Sequence, residues 1–253
     1  WVDHFTTGSV NRTVEEKIFY GGKGINVSAV LASLGYPSTA LGFVAGFTGD
    51  EIERGVKTLG FSSDFIRVKK GMSRINVKLK SEEESEINGR GPEITTEDVN
   101  ELFRKLEHLK AEDILVLSGS IPATIDSRIY EMILEKLEGR GILTVVDAEK
   151  DLLLNVLKYH PFLIKPNNHE LGEMFGVVLE NDAAIVEYAR RLQDMGARNV
   201  LVSMAGDGAM LVAENKEIYH LGVAKGIVRN SVGAGDSMVA GFLAGYLENK
   251  DYA

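Results

Sequence analysis

Short apolar runs alternate with amphipathic segments through the second half of the chain. The apolar runs predict buried strands, and segments with apolar residues three or four positions apart predict helices. The predicted strands are 114–117, 143–146, 162–164 and 200–203. The helices predicted between and after them are 129–137, 152–157, one that begins at 171, and 183–195. A hairpin is predicted at 209–213 and 218–221. Because buried parallel strands joined by helices form a sheet covered on both faces, this order predicts an α/β fold with a central, mostly parallel sheet flanked by helices.

A different pattern occupies two segments of the first half. Residues 10–20 are apolar near every second position, and residues 74–79 alternate apolar with polar side chains. Such alternation predicts half-exposed strands, with a polar turn at 82–86 and a return strand from Ile87. These strands do not fit a buried parallel sheet. They predict a small second sheet, a lid over the site, formed by residues of about 1–20 and 73–90.

Three helices are predicted in the first half of the chain, over 25–34, 51–59 and 97–109. Gly35 ends the first of them, and a turn at 46–50 precedes the second. Thr95 and Asp98 have the spacing of a capping box at the start of the third. A short strand is predicted at 39–44.

The stretch from Asn230 to Ser237 reads Asn-Ser-Val-Gly-Ala-Gly-Asp-Ser and precedes an apolar segment at 238–247, so it predicts a tight turn that leads into a helix. The first N–H groups of a helix have no internal partner, and glycine lets an anion approach them closely. Asp236 would lie in or beside the first turn, ionised and able to accept a proton. An anion cradle with a base beside it suits phosphoryl transfer to a hydroxyl. The alternative is that Asn230 or Ser231 caps a buried helix and Asp236 only complements its dipole.

A second glycine-rich turn, Gly21-Gly22-Lys23-Gly24, precedes the helix predicted from Ile25. A lysine in such a turn at a helix start is a second candidate anion site. Asn26 lies one residue into the helix and could present its amide to a ligand hydroxyl. The alternative is a flexible loop with a solvated lysine, which so many glycines disfavour because unneeded glycines cost entropy.

Polar side chains follow the predicted parallel strands at the point where each strand ends. The clusters are Ser118–Pro122, Asp147, Lys165–Glu170 and Ser203–Gly208. Ligands of parallel α/β sheets bind beyond the carboxyl ends of the strands. We therefore expect these separate clusters to converge on one site.

Composition narrows the classes of function. The 253 residues carry a formal net charge of −9, which argues against a nucleic-acid or anionic-membrane surface. Cysteine is absent, so disulfides and thiolate metal sites are excluded, and the composition is compatible with the cytoplasm. No apolar run approaches the length of a membrane span. No G-x-x-x-x-G-K-[ST] loop occurs, and the turn at Gly233–Gly235 lacks the third glycine of a dinucleotide-binding turn.

Taken together, the motifs resemble those of the ribokinase-like (PfkB) carbohydrate kinases. Gly21–Asn26 and Gly233–Asp236 resemble the two signatures of that family. Lys165-Pro166-Asn167-x-x-Glu170 resembles its magnesium/ATP segment, and Ser203-x-Ala205-x-x-Gly208 resembles its nucleotide-binding loop. The resemblance covers essentially the whole chain. It implies a single three-layer α/β kinase domain with a β-sheet lid, ATP as donor with Mg²⁺, and a sugar or sugar phosphate as acceptor.

The resemblance also implies roles for individual residues. Asp236 is similar to the catalytic base of the family. The anion hole would comprise Gly233, Ala234 and Gly235. The acceptor pocket would comprise Gly21, Gly22, Lys23, Asn26, Arg74 and Ser120, with Arg12 of the lid as a further candidate. The ATP site would comprise Lys165, Asn167, Ser203, Ala205, Gly206, Asp207, Gly208 and Gly235, and Mg²⁺ would be organised by Asn167 and Glu170.

Lys23 and Arg74 favour a phosphorylated acceptor, because a dianion must be paired when it leaves water. Within the family, the motifs at Gly21–Asn26, 45–49, 74–78 and 86–89 are most similar to those of kinases that act on fructose 1-phosphate. They are less similar to those of tagatose-6-phosphate kinases. We expect phosphoryl transfer to the 6-hydroxyl of fructose 1-phosphate, with tagatose 6-phosphate or another hexose phosphate as the alternative.

Plainer interpretations stay open for single residues and for the whole chain. Lys165 and Glu170 could form an exposed ion pair, Arg74 could be an edge-strand charge, and His169 is expected to be structural. The protein could also be a catalytically inactive sugar-phosphate sensor on the same fold, or a nucleotide-dependent oxidoreductase. Asp236 argues against the sensor, and the missing dinucleotide turn argues against the oxidoreductase.

Two expectations concern the chain as a whole. A lid sheet with an exposed apolar face often pairs with a second copy, so we expect a homodimer formed through the lid. The first strand of the family, with an aspartate that binds acceptor hydroxyls, would precede Trp1, and a segment that closes over adenine would follow Ala253. We therefore expect both natural termini to lie outside this sequence.

Overall fold

The structure is a computed structural model that describes residues 1–223, 226 and 233–252. Its helices are α1 (Lys23–Ser33), α2 (Gly46–Val56), α3 (Thr96–Leu106), α4 (Ile129–Leu137), α5 (Lys150–Val156), α6 (Asn168–Phe175), α7 (Asp182–Asp194) and α8 (Ala234–Asn249). Its strands are β1 (Thr39–Ala40), β2 (Phe43–Val44), β3 (Ser62–Ser63), β4 (Ile66–Arg67), β5 (Asn76–Lys80), β6 (Glu84–Asn88), β7 (Ile114–Ser118), β8 (Leu143–Asp147), β9 (Leu163–Ile164), β10 (Asn199–Ser203), β11 (Ala209–Val212) and β12 (Ile218–Leu221). Single 3₁₀ turns lie at Lys57–Leu59, Leu157–Tyr159 and Ala205–Asp207.

A six-stranded sheet forms the centre of the molecule, in the order β12-β11-β10-β9-β8-β7. β7 to β10 are parallel, whereas β11 and β12 form an antiparallel hairpin at the edge. Ser118 pairs with Asp147 at the carboxyl ends of β7 and β8. Beyond β9 and β10, Asn167 makes an isolated bridge to Ser203. The predicted parallel sheet is confirmed, and so is the shared edge at which its polar clusters meet.

Successive residues of the central strands enter two separate cores. Val146 and Ile164 pack with α4, α5, α6 and α7 on one face, whereas Val145 and Leu163 pack with α1 and α8 on the other. All four side chains are fully buried at 0% exposure, and burial of an aliphatic side chain contributes about 1.5–3 kcal/mol. The result is the expected helix–sheet–helix arrangement, in which α1 and α8 lie side by side over the same face.

Small sheets in the first half complete the fold. β1 pairs in parallel with β3, and β2 pairs in parallel with β4. β5 and β6 form an antiparallel hairpin, with Asn76 opposite Asn88 and Lys80 opposite Glu84. The predicted alternating strand and its return strand are thus confirmed. Every residue of β6 is exposed, so this hairpin stands away from the two cores.

The strand predicted over 10–20 is wrong. Residues 1–22 are all described, and they contain neither strand nor helix. The segment folds back on itself, with Val14 N–H bonded to the carbonyl of Trp1, and it reaches the β5–β6 hairpin where Val2 N–H donates to the carbonyl of Lys80. Alternation of apolar residues makes a strand only where a neighbouring edge supplies a row of partners, and this segment has no such neighbour within the described part of the chain.

The turn predicted over 46–50 is also wrong, because α2 already begins at Gly46. Glycine is a poor helix former, and this short stretch contains two. Buried hydrogen bonds instead fix a helix start: Ser73 Oγ accepts from Ala45 N–H, and Thr48 Oγ1 donates to the carbonyl of Ser73. A Cβ at Gly49 would lie 3.1 Å from Val44, so this glycine permits close packing.

Candidate active site

The two glycine-rich turns of the sequence are brought together because α1 and α8 pack against each other. Gly233 is the N-cap of α8 with a φ of 82°, a left-handed conformation that favours glycine. No side chain of the described residues caps this helix, so its first N–H groups are available to an anion. The flanking residues Asn230 and Ser231, which were considered as caps, lie outside the described residues.

Asp236 lies in the first turn of α8 and is buried, with 5% exposure. Asn26 Nδ2 of α1 donates a hydrogen bond to its Oδ2 at 2.7 Å. A Cβ on Gly233 would lie 3.6 Å from that Asn26 nitrogen, so the glycine, the amide and the carboxylate share one small volume. The structure therefore brings Asn26 and Asp236 together, and their roles stay predictions.

Several forces act on the acidity of Asp236. Burial raises the pKa of its carboxyl above the ordinary value, and the hydrogen bond from Asn26 opposes that shift. The negative charge of Asp147 raises the same pKa further, whereas the ammonium groups of Lys23 and Lys165 lower it. The net shift is upward. A carboxylate whose pKa moves toward neutrality is a better proton acceptor when it acts as a general base.

A buried ion cluster lies beside this carboxylate. Lys23 Nζ lies 3.1 Å and Lys165 Nζ 3.4 Å from the same oxygen, Oδ1 of Asp147. Asp147 and Lys165 are 3% and 6% exposed, whereas the side chain of Lys23 is 42% exposed. Two ammonium groups share one carboxylate, so the cluster keeps a net positive charge that can attract an anion. The alternative of an exposed Lys165–Glu170 ion pair is wrong.

Lys165 also lies directly against the start of α8. A Cβ on Gly235 would lie 3.0 Å from Lys165 Nζ and 3.1 Å from its Cε. A side chain here would crowd the end of the buried lysine, which glycine avoids. The helix N–H groups and the ammonium group of Lys165 therefore border the same space.

The two predicted nucleotide segments are joined by their backbones. Ser203 N–H donates to the carbonyl of Pro166 at 3.1 Å. Beyond Ser203 the chain makes the 3₁₀ turn Ala205–Asp207, with Gly206 exposed in it, and Gly208 follows with a φ of 93°. A Cβ on Gly208 would lie 2.0 Å from the carbonyl oxygen of Leu221, so this position requires glycine.

Asn167 and Glu170 form a capping box at the start of α6. Glu170 N–H donates to Asn167 Oδ1, and Asn167 N–H donates to Glu170 Oε2, each at 2.8 Å. Across the described residues, no three or more acidic or histidine side chains are grouped so as to hold a metal ion. Mg²⁺ commonly binds through one or two carboxylates, waters and substrate phosphates. The donor set is therefore compatible with Mg²⁺ that is held chiefly by a nucleotide.

The residues predicted to bind the acceptor do not all lie at the ion cluster. Gly22 is the N-cap of α1 with a φ of 127°, and Gly21 is exposed beside it. A Cβ on Gly24 would lie 3.6 Å from Ser118 Oγ, so the first glycine-rich turn approaches the end of β7. Ser120, just beyond that end, lines a cleft of about 570 Å³.

The two lid arginines are not gathered into the cluster. Arg12 and Arg74 are both exposed, and Arg74 lies two residues before β5, next to Gly89. Neither arginine forms a hydrogen bond or ion pair with the cluster in the ranges that the structure describes. Their role in acceptor binding stays a prediction.

Asp147 is the residue of this site to which the sequence assigned no role. Its position at the end of a predicted strand was noted, but its two lysine partners are distant in sequence, at 124 and 18 residues. The signal that could have found it is a lone aspartate that ends an otherwise apolar buried strand, since such a charge needs partners.

Comparison with known proteins decides the family. The model of the pfkB family carbohydrate kinases matches residues 2–253. The chain belongs to this family. A 1-phosphofructokinase of Bacillus subtilis is 46% identical over 96% of this chain and 80% of its own, and a D-tagatose-1-phosphate kinase of Bacillus licheniformis is 36% identical over 95% and 79%. The crystal structure of a Staphylococcus aureus protein, 42% identical, matches with a TM-score of 0.85 over 98% of this chain and 80% of its own.

Family membership makes this pfkB chain a carbohydrate kinase, and kinases of this family use ATP. It also confirms the ribokinase-like α/β fold expected from the sequence. The oxidoreductase interpretation is excluded. Within the described residues, no helix combines the length and the apolar character that a bilayer crossing requires.

Proposed function

We propose that this kinase transfers the γ-phosphoryl group of ATP to the 6-hydroxyl of fructose 1-phosphate, giving ADP and fructose 1,6-bisphosphate. The supporting observation is the buried Asp236 at an uncapped helix start, with Lys23 and Lys165 gathered beside it. A base, a set of N–H donors and cations from two chain segments are the parts that phosphoryl transfer to a hydroxyl needs.

In this reaction Asp236 takes the proton of the 6-hydroxyl while the hydroxyl oxygen bonds to the γ-phosphorus. The bond from that phosphorus to the β,γ-bridging oxygen breaks, and ADP leaves with the electron pair. The N–H groups at Gly233, Ala234 and Gly235 stabilise the charge on the transferring group. Asn26 holds the Asp236 carboxylate in place through their hydrogen bond.

The acceptor phosphate is assigned to Lys23. Its side chain is 42% exposed, so it can reach a ligand while Asp147 anchors it. A neutral sugar needs no such cation, but a phosphate dianion must be paired when it is desolvated. Arg74 and Arg12 of the lid, Gly21, Gly22 and Ser120 complete the proposed acceptor pocket.

The phosphoryl donor, ATP, is assigned to the opposite side of the ion cluster. Lys165 and Gly235 contact its phosphates, and the loop from Ser203 to Gly208, including Ala205, Gly206 and Asp207, holds the nucleotide. Mg²⁺, when bound, neutralises charge on the phosphates, with Asn167 and Glu170 holding its waters.

The acceptor could instead be tagatose 6-phosphate or another hexose phosphate. Two relatives of higher identity support a ketose that carries its phosphate at carbon 1, because the Bacillus subtilis protein (46%) is named for fructose 1-phosphate and the Bacillus licheniformis protein (36%) for tagatose 1-phosphate. Tagatose-6-phosphate kinases of Staphylococcus epidermidis are less similar, at 30% identity. Membership of a kinase family argues against the alternative of a non-catalytic sensor, and the buried Asp236 with its hydrogen bond from Asn26 supports catalysis.

The test is a reaction of the chain with ATP, Mg²⁺ and fructose 1-phosphate. Release of ADP should match, mole for mole, the appearance of a hexose bisphosphate, which mass spectrometry distinguishes from the monophosphate by one added phosphoryl group. Binding of both ligands without ADP release would support the sensor instead.

The oligomer is proposed to be a homodimer through the lid, which comprises residues 1–20 and the β5–β6 hairpin of a single kinase domain. Apolar side chains of this region face outward, with Val10 85%, Ile18 84% and Phe19 78% exposed. A second copy would cover them and could supply the edge that residues 10–20 lack.

We place the enzyme in the cytoplasm, where ATP and sugar phosphates are available.

A further inference from the structure

The ion cluster connects two halves of the site that the proposed function treats separately. Lys23 comes from the start of α1 and belongs to the acceptor side. Lys165 follows β9 and belongs to the ATP side. Both ammonium groups meet at Oδ1 of Asp147, at 3.1 Å and 3.4 Å.

The remaining oxygen of Asp147 makes the arrangement unusual. Its Oδ2 is buried and has no hydrogen-bond partner among the described residues. A buried carboxylate is costly unless it is paired. The stability of this charge therefore depends on the two lysines, and their positions depend on it in return.

We infer that Asp147 is a positioning residue that holds Lys23 toward the acceptor phosphate and Lys165 toward the ATP phosphates. The inference rests on the proposed function for the assignment of each lysine to its substrate. Asp147 touches neither reacting atom and acts through the two ammonium groups. Loss of Asp147 should therefore weaken the binding of both substrates, whereas loss of either lysine should weaken the binding of one substrate only.

The alternative is that Asp147 only stabilises the fold. A structural residue would lower the yield or melting temperature and would change the Michaelis constants in no particular pattern. The distinction lies in which KM responds, and in whether the response disappears when the lysine on that side has already been removed.

The experiment compares Asp147→Asn, Lys23→Met and the double variant with the wild type. Asp147→Asn should raise KM for fructose 1-phosphate and for ATP by about tenfold or more each, since each substrate would then meet a lysine that no carboxylate holds in place for its charge-assisted contact. In the Lys23→Met background, the same change should raise KM for ATP again but leave KM for fructose 1-phosphate within about threefold.

Asp64→Asn is the matched control. Asp64 also pairs with a lysine, since Lys105 Nζ lies 2.5 Å from its Oδ1, but Asp64 is 54% exposed and the pair joins α3 to the loop between β3 and β4, which carry no residue of the proposed site. Both of its KM values should equal those of the wild type. Thermal melting checks that each variant is folded, and Asp147→Ser replaces Asp147→Asn, with the same expectation, if the latter does not fold.

Two failures can be told apart. If the wild type does not phosphorylate fructose 1-phosphate, the proposed function fails, and the same comparison is made with calorimetric dissociation constants for ATP and fructose 1-phosphate. If the wild type is active and folded Asp147→Asn changes only one KM, or raises KM for fructose 1-phosphate equally with and without Lys23, the inference is overturned.

Discussion

Asn26 Nδ2 donates a hydrogen bond to Asp236 Oδ2 at 2.7 Å, across 210 positions of sequence. The bond joins the start of α1 to the start of α8, so each glycine-rich turn contributes one member of the pair. It fixes the orientation of the carboxylate and favours its charged form. This pair therefore has effects that can be measured in a pH profile.

Asn26→Ala should move the acidic limb of the kcat/KM profile to higher pH. The hydrogen bond from Asn26 lowers the pKa of Asp236, so its removal raises that pKa and the base becomes protonated at a higher pH. The measurement is kcat/KM against pH for both enzymes. Asn100→Ala, at an exposed position of α3, should leave the profile unchanged. A limb that shifts to lower pH in Asn26→Ala would contradict the assignment of the base.

Asp236→Asn should lower kcat by about 10²–10⁴-fold, the range typical for the loss of a general base. The melting temperature should not fall, because the substitution removes a buried charge whose burial is unfavourable. Glu97→Gln removes a first-turn carboxylate from α3 and should leave kcat unchanged. More than about a tenth of wild-type kcat in Asp236→Asn would make Asp236 structural, since that loss is below the general-base range.

Much of this site could be predicted from the sequence because its parts are local. The turn before Asp236 and the turn before Asn26 are each fixed by glycines and by the helix that follows, and short continuous apolar runs marked the central strands. Asp147 was different, since a pairing of one carboxylate with two distant lysines depends on how β8, β9 and α1 are arranged. The strand prediction for residues 10–20 was wrong for a related reason. Alternation shows which face of a segment is apolar, but whether a neighbouring strand pairs with it depends on the tertiary fold.

Glu170→Gln should raise the Mg²⁺ concentration needed for half-maximal activity by about tenfold, since a neutral amide binds the metal and its waters more weakly than a carboxylate. The fold should be retained, because the amide oxygen of glutamine can still accept from Asn167 N–H in the capping box. Activity is titrated with Mg²⁺ after treatment with EDTA. Asp98→Asn alters the matching capping box of α3 and should not change the metal requirement. An unchanged requirement in Glu170→Gln would remove Glu170 from this role.

Gly235→Ala should raise KM for ATP by about tenfold or more while KM for the sugar phosphate changes little. The new methyl group would lie 3.0 Å from Lys165 Nζ, so the buried lysine must move away from the start of α8; a lost charge-assisted contact of about 1.4 kcal/mol corresponds to tenfold. Gly241→Ala in the same helix meets nothing within 4 Å and should be neutral or stabilising by up to about 1 kcal/mol. Equal KM values for ATP in the two variants would show that Lys165 does not contact the nucleotide.

Lys23→Met tests the cation assigned to the acceptor. It should raise KM for fructose 1-phosphate by about tenfold or more and leave KM for ATP nearly unchanged, because Lys165 still neutralises Asp147 when Lys23 is absent. Lys105→Met removes a lysine from the surface pair with Asp64 and should alter neither constant. A rise in KM for ATP alone would show that Lys23 binds the nucleotide and not the acceptor phosphate.

The most direct measurement is kcat/KM of the wild type for fructose 1-phosphate, tagatose 6-phosphate, fructose 6-phosphate and free fructose, taken side by side with ATP and Mg²⁺. The account predicts that fructose 1-phosphate is preferred and that free fructose is the poorest acceptor, because only a phosphorylated sugar engages Lys23. Preference for tagatose 6-phosphate would contradict the proposed acceptor and leave the hexose-phosphate kinase activity standing. Preference for free fructose would contradict the phosphate pocket itself.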